Sequence, residues 1–321
     1  MNKKLARVSG LAAICSLAAH LVYGCSDDDA VRPSSDAGGG SDTGATLVDS
    51  GGPHEDAAPT DAGAKTVSIK FKAKVGTQDF KCGTTYANQG STMDTVEPRD
   101  LRFFVQDVKL VTADGKETPV TLAARPPWQT PDVALLDFED GTGRCANGNA
   151  ELNGEVIGTV PSGSYTGVVF SNGVPAALNH SDPATATAPL SAGGMTWSWL
   201  SGRLFIKAEM ASTSADGGVG LLHLGSTGCT NALDDGGTSD STKPPSMACS
   251  RSNRNLVKLS GFDPEVNVVV FDVAALFANS DLTAASLCHS SGPACPPMFT
   301  AVGVDIDGGA PLSTVPVFRV E

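Results

Sequence analysis

The chain has little of what most nucleic-acid binders and hydrolases carry. Positive charge is scarce: 22 Lys and Arg face 35 Asp and Glu, for a formal net charge of −13. No basic cluster stands out. Gripping a phosphate backbone needs the opposite sign, so nucleic acid is excluded as a partner. No Gly-x-Ser-x-Gly elbow occurs, and "GSYTG" has Tyr165 where the serine would be needed. No CxxC pair occurs, which argues against a cysteine metal site, and no CxxCH occurs, which excludes covalent c-type haem. "DIDGG" lacks the remaining carboxylates of an EF-hand loop. Helical periodicity is rare, and no apolar run is long enough to span a bilayer.

What is present begins with a leader. Lys3, Lys4 and Arg7 precede an apolar run from Leu11 to Gly24, the layout of a secretory signal over residues 1–24. The run ends in "LVYGC", which resembles the bacterial lipobox and makes Cys25 the expected lipidated first residue. Several acyl chains on one cysteine give stable anchoring. Ser26, rather than Asp, points to the outer membrane, so the expected location is the bacterial cell envelope, periplasmic or outer-membrane. Residues 25–65 are Gly, Ser, Asp, Pro and Ala with almost no large apolar side chain. Such a segment buries too little surface to offset its ordering entropy, and it reads as an acidic tether. Removing residues 1–24 takes the charge from −13 to −16; nine tether acids against Arg32 and Lys65 account for −7, leaving −9 on residues 66–321.

Six cysteines lie in that last part: Cys82, Cys145, Cys229, Cys249, Cys288 and Cys295. An even number in an exported chain reads as disulfides, with about 15 pairings open. Proximity favours Cys229–Cys249 and Cys288–Cys295, leaving Cys82–Cys145.

Alternation of period two recurs in "TVSIKFKAKV", "DLRFFVQDVKLV", "SYTGVVFSNG", "WSWLSGRLFIKAEM", "NLVKLSGF" and "EVNVVVFDV". Short strands with long polar connections predict an all-β fold, an antiparallel β-sandwich with long loops, stapled by disulfides. Helical turns are expected at "DVAALFAN" and "DLTAASL", with Asp272 and Asp281 as N-caps.

The chemistry-bearing residues are few. His20 leaves with the leader and His54 lies in the tether, so only His180, His223 and His289 belong to the domain. Two of the three tryptophans, Trp197 and Trp199, sit one residue apart. On one strand their indoles would share a face. His180 lies in the loop before them and His223 follows them, so both imidazoles could approach the pair. Imidazole suits copper, zinc, iron and nickel, and Asp182 could add an oxygen. Intact indole nitrogen only donates, but ring opening to kynurenine frees an aryl amine that can ligate. The competing reading is a metal-independent binding module that uses the paired tryptophans as a stacking platform. Trp128, in a Pro-rich loop, reads as a surface or partner contact.

Eight stretches in order, "FKCGTTY", "DLRFFVQDVKL", "LLDFEDGTGRC", "GTVPSGSYTGVVFSNGVPAALNH", "PLSAGGMTWSWLSGRLFIKAE", "HLGSTGC", "CSRSNRNLVKLSGFD" and "FDVAALF", resemble the MbnP family of bacterial periplasmic copper-binding proteins. The likeness covers nearly all of Thr66 to Val304. It implies a copper-binding protein rather than an enzyme, with a dihaem cytochrome c peroxidase-like partner of the MbnH type that oxidises a tryptophan to kynurenine. By the same resemblance His180 and His223 are copper ligands, and Trp197 or Trp199, with a lean to Trp199, is the oxidised residue. One departure is "SGRLFIK", which puts Arg203 and Leu204 where the family often has an aromatic.

Overall fold

The computed structural model describes residues 63–146, 148–231 and 239–321. The leader, Cys25 and the tether up to residue 62 lie outside the described residues. Among the described residues no helix is long and apolar enough to cross a membrane.

Two curled sheets face each other, as the alternating pattern requires. The first has the order Phe318–Val320, Val269–Asp272, Ala64–Val75, Glu155–Pro161, Thr121–Leu122, with Gln78–Asp79 folded back on Ala64–Val75. The second runs Val257–Ser260, Gly167–Asn172, Asp94–Val111, Ile206–Ser212, Val219–Leu224, Ser286–Cys288. Tyr86–Gln89, Glu117–Pro119 and Ala134–Asp137 also pair with its long strand Asp94–Val111. The pairs are antiparallel except for two: Ala64–Val75 with Val269–Asp272, and Val219–Leu224 with Ser286–Cys288. Between the sheets, Phe71, Phe103, Phe170, Phe271 and Phe318 form a ring cluster with centroids 5.1–6.2 Å apart. Each edge-on or offset pair adds about 0.5–1.5 kcal/mol beyond its buried area.

Three disulfides staple the fold: Cys82–Cys145, Cys229–Cys249 and Cys288–Cys295. Two are the pairs favoured by proximity, and Cys82–Cys145 is the pair that these left. Asp272 caps the helix Val273–Phe277 as expected, its Oδ1 accepting from the Ala274 and Ala275 amides at 3.0 and 3.4 Å. Asp281 instead closes a turn, accepting from the Thr283 and Ala284 amides at 2.9 and 3.2 Å. The chain then enters the strand Ser286–Cys288, where pairing with Val219–Leu224 overrides the local helical preference.

The largest departure concerns the tryptophans. "WSWLSGRLFIKAEM" is not one strand. It divides into Thr196–Ser198, Gly202–Arg203 and Ile206–Ser212. The first two pair as a small hairpin. Ser198 Oγ accepts from the Ser201 amide at 3.0 Å, and Gly202 takes φ 78, a left-handed value that glycine adopts without a Cβ clash. Trp197 is therefore on a strand and Trp199 in the turn, so the expected common face is lost.

Candidate metal centre

The outer face of the second sheet carries a row of ionisable side chains set by register. Asp137 pairs with Arg102, Arg102 with Lys207, and Lys207 with His223, across four neighbouring strands. One step along, Asp100 pairs with Glu209. Arg102 Nε and Nη2 donate to the two Asp100 oxygens at 3.0 and 2.7 Å, and Lys207 Nζ lies 2.6 Å from Asp100. The loop 173–205 covers part of this face: Arg102 Nη1 donates to the Gly193 carbonyl, and Leu190, Met195 and Leu204 pack with Phe104 and Phe205.

His223 ends this row. Its Nε2 is 2.9 Å from Glu209 Oε1. A carboxylate accepts, so Nε2 carries the proton and Nδ1 is the nitrogen of the neutral ring that can ligate. Burial opposes ionisation of Glu209, but the His223 hydrogen bond and the charges of Lys207, His223 and Arg99 outweigh it and hold the carboxyl below its ordinary range. The His289 ring stands edge-on to His223, centroids 4.9 Å apart. Burial, then the neighbouring His223, lowers the His289 pKa, with Glu209 opposing. Nothing in the local sequence around His289 gives it a role. The parallel register of Leu222 with Cys288 is what makes His223 and His289 neighbours.

His180 sits at the end of the short helix Ala176–Asn179. Its Nδ1 is 3.1 Å from the Trp199 carbonyl, which can only accept, so Nδ1 is protonated. Nε2 then presents its lone pair. Asn179 Nδ2 donates to it at 3.0 Å, and Cys249 Sγ lies 3.3 Å away. Burial lowers the His180 pKa, countered by the bond to Trp199, with Arg203 and Arg254 adding to the lowering. The ring is thus held in the neutral form that metals bind. Arg203, fully buried, fixes this loop: its Nη1 donates to the carbonyls of Asn179 and Ser181 at 3.0 and 2.5 Å, and its Nε to Leu190 at 3.4 Å.

The two indoles have separate neighbours. Trp199 Nε1 donates to the His180 carbonyl at 2.8 Å. Trp197 packs over Gly225, where an added Cβ would come within 2.7 Å of the indole. Gly225 lies two residues beyond His223, so Trp197 covers the strand end that His223 occupies. Trp197, His289, Ser226 and Cys229 line one cavity of about 260 Å³. Among the described residues no hydrogen bond or ring contact joins His180 to His223. The structure brings His180 to Trp199 and the Cys229–Cys249 bridge, and His223 to His289, at the border of Trp197. Asp182 accepts from the Ala184 amide at 2.9 Å and closes a local turn. Trp128 is half-buried against the cluster of Leu190 and Phe205 and lines a separate cavity with Pro189.

This is a disulfide-stapled β-sandwich carrying imidazoles at one end, nitrogen donors suited to copper or zinc rather than to hard cations. The family model described as MbnP matches residues 64–290. A structure search finds MbnP from Methylosinus trichosporium at 31% identity and a TM-score of 0.68, covering 80% of this chain and 98% of that one. No curated protein matches. The chain belongs to the MbnP family, and that membership associates it with copper.

Proposed function

We propose that the protein is a copper-binding lipoprotein of the bacterial cell envelope, anchored through Cys25, that binds or hands over the metal and is not itself an enzyme. His180 and His223 supply imidazole nitrogens. The third nitrogen is the aryl amine of a kynurenine made at Trp199 or Trp197 by a dihaem peroxidase-like partner. With hydrogen peroxide as the partner's oxidant, two equivalents add two oxygen atoms and leave two waters, opening the pyrrole ring to N-formylkynurenine; hydrolysis by one further water releases formate and frees the amine. Bound copper stabilises the fold by mass action.

One observation carries this reading. Each imidazole has one nitrogen fixed by an outer acceptor, the Trp199 carbonyl for His180 and Glu209 for His223, which leaves Nδ1 of His223 to a metal and Nε2 of His180 to one that displaces the Asn179 Nδ2 donor at 3.0 Å. Metal-ligating histidines are oriented in this way. Anaerobic copper(I) titration tests it: His180→Ala and His223→Ala should each lose tight uptake, and uptake equal to the parent's refutes the ligand assignment. Peptide mass mapping tests the modification. Kynurenine is expected at Trp199 or Trp197 only after co-expression with the dihaem partner, and intact tryptophan in both samples counts against it.

A further inference from the structure

We propose that reduction of the Cys229–Cys249 disulfide turns the His180 loop into a second metal site, two thiolates and one imidazole, for a soft d10 cation such as copper(I) or zinc(II). It goes beyond the copper reading above and shares only His180 with it.

The donors are already gathered. His180 Nε2 and the two sulfurs all lie within 4.8 Å of one another. With metal–sulfur bonds of about 2.3 Å and metal–nitrogen bonds of about 2.0 Å, tetrahedral donors stand about 3.5–3.8 Å apart. The Nε2 to Cys249 Sγ distance of 3.3 Å is close to that spacing. The two bonded sulfurs must separate, and Asn179 Nδ2, which donates to Nε2 at 3.0 Å, must give way to the metal. Nε2 is the nitrogen that carries the lone pair because Nδ1 is held on the Trp199 carbonyl.

The two cysteines stay side by side without their covalent bond. Thr227 and Arg251 exchange two backbone hydrogen bonds of 3.0 Å, and the Ser250 and Ser246 amides donate to the Gly228 and Thr230 carbonyls at 3.1 and 2.9 Å. This ladder brackets Cys229 and Cys249 on both sides. The bridge is also the reachable one. Cys145, Cys288 and Cys295 are fully buried and Cys82 nearly so, whereas Cys229 and Cys249 are partly exposed and Cys229 borders the cavity. External thiols attack accessible disulfides first.

The electron balance needs a dithiol reductant, the class of an envelope thiol oxidoreductase. One of its thiolates attacks a sulfur of the bridge and forms a mixed disulfide. Its second thiol then displaces the protein sulfur, leaving an oxidised donor and two protein thiols. Two electrons and two protons enter the protein. Metal binding forms two metal–sulfur bonds and releases the two protons. Thiolate donors select soft cations.

The test uses the full chain, treated with a dithiol that is then removed anaerobically, and titrated with cadmium as the probe. The reduced protein should bind one cadmium with a sulfur-to-cadmium charge-transfer band, and the oxidised protein should show none. Cys229→Ser should remove the band. His180→Ala should weaken cadmium binding at least about 10-fold, the loss that follows even removal of an outer-sphere partner. Absence of the band in the reduced parent, or a band and affinity unchanged by His180→Ala, overturns the proposal. Circular dichroism of Cys229→Ser/Cys249→Ser completes the test. A folded variant is expected, and an unfolded one also overturns the proposal, because no folded reduced state would then exist. Copper titration of the oxidised chain reports separately on the imidazole and kynurenine reading, so the two can fail independently.

Discussion

His180 and Trp199 hold each other through two hydrogen bonds of opposite sense. The indole Nε1 donates to the His180 carbonyl at 2.8 Å, and the imidazole Nδ1 donates to the Trp199 carbonyl at 3.1 Å. The side chain of each thus engages the main chain of the other, which fixes the tautomer of the imidazole and the place of the indole together. Trp199→Phe removes one of the two bonds and keeps the other, because the carbonyl that orients His180 belongs to the backbone. The expected cost is about 1 kcal/mol of stability, read by denaturant unfolding. Copper uptake by the unmodified protein should survive, since His180 keeps its orientation. Loss of uptake together with an unchanged midpoint would show that the indole itself contacts the metal.

Glu209→Gln tests the second imidazole. Glu209 accepts from His223 Nε2 and sits between Lys207 and Arg99 at 3.6 and 3.7 Å. The amide keeps the size of the side chain but loses the negative charge that strengthens the outer bond. Copper affinity should fall about 10–100-fold if His223 is a ligand through Nδ1. The parent affinity retained in the Gln variant would remove His223 from the ligand set.

How far the sequence already contained this arrangement depends on the range of each feature. The strands Ala64–Val75 and Asp94–Val111 could be read because period-two alternation is local. The bridges Cys229–Cys249 and Cys288–Cys295 could be read because their separations are only 20 and 7 residues. The turn at Trp199 was hidden because Thr196, Trp197 and Ser198 continue an alternating pattern into Leu204 and Ile206; Gly202 was the available signal. The row Asp137–Arg102–Lys207–His223 follows from registers between strands far apart in the chain, which no local pattern encodes. The meeting of His223 with His289 depends on a parallel pairing that an antiparallel expectation does not contain.

The acidic end of that row sets a pH dependence. Burial pushes the Glu139 carboxyl up from 4.5 to about 7, helped by Asp100 and opposed by Arg102. Burial likewise pushes Asp137 up to about 6, against the Glu139 amide and Arg102. Glu139 Oε1 is 3.0 Å from Arg102 Nε, but that N–H is taken by Asp100, so neither Glu139 oxygen receives a hydrogen bond. The folded state therefore keeps protons that the unfolded state releases. Below the ordinary carboxylate range both states are protonated and nothing is lost. As pH rises from there through about 7, stability falls, and above that it is flat. Melting temperatures measured from pH 5 to pH 8 should decline for the parent. Glu139→Gln should flatten the decline and gain about 1–3 kcal/mol at the alkaline end. A profile unchanged by the substitution would place the titrating group elsewhere.

Arg203 gives the sharpest separation of holding a ligand from being one. It is fully buried beneath the His180 loop and joins the Asn179, Ser181 and Leu190 carbonyls. Its planar fork spans these acceptors from one head group, and the single ammonium of lysine cannot reproduce that geometry. Burial already lowers its pKa, with Asp182 opposing, so a lysine left with fewer acceptors bears a larger desolvation cost. Arg203→Lys should lose about 2–4 kcal/mol, the scale of breaking charged hydrogen bonds in a buried setting. Amide exchange should accelerate at Asn179 to Asp182, while Phe103 and Phe271 in the inter-sheet core stay protected. Copper affinity should fall with that local loosening and recover in part when the loop is stabilised by an osmolyte. Because Arg203 offers no lone pair to a metal, a fall in affinity with unchanged exchange at Asn179 to Asp182 would contradict its role as the anchor of the His180 loop.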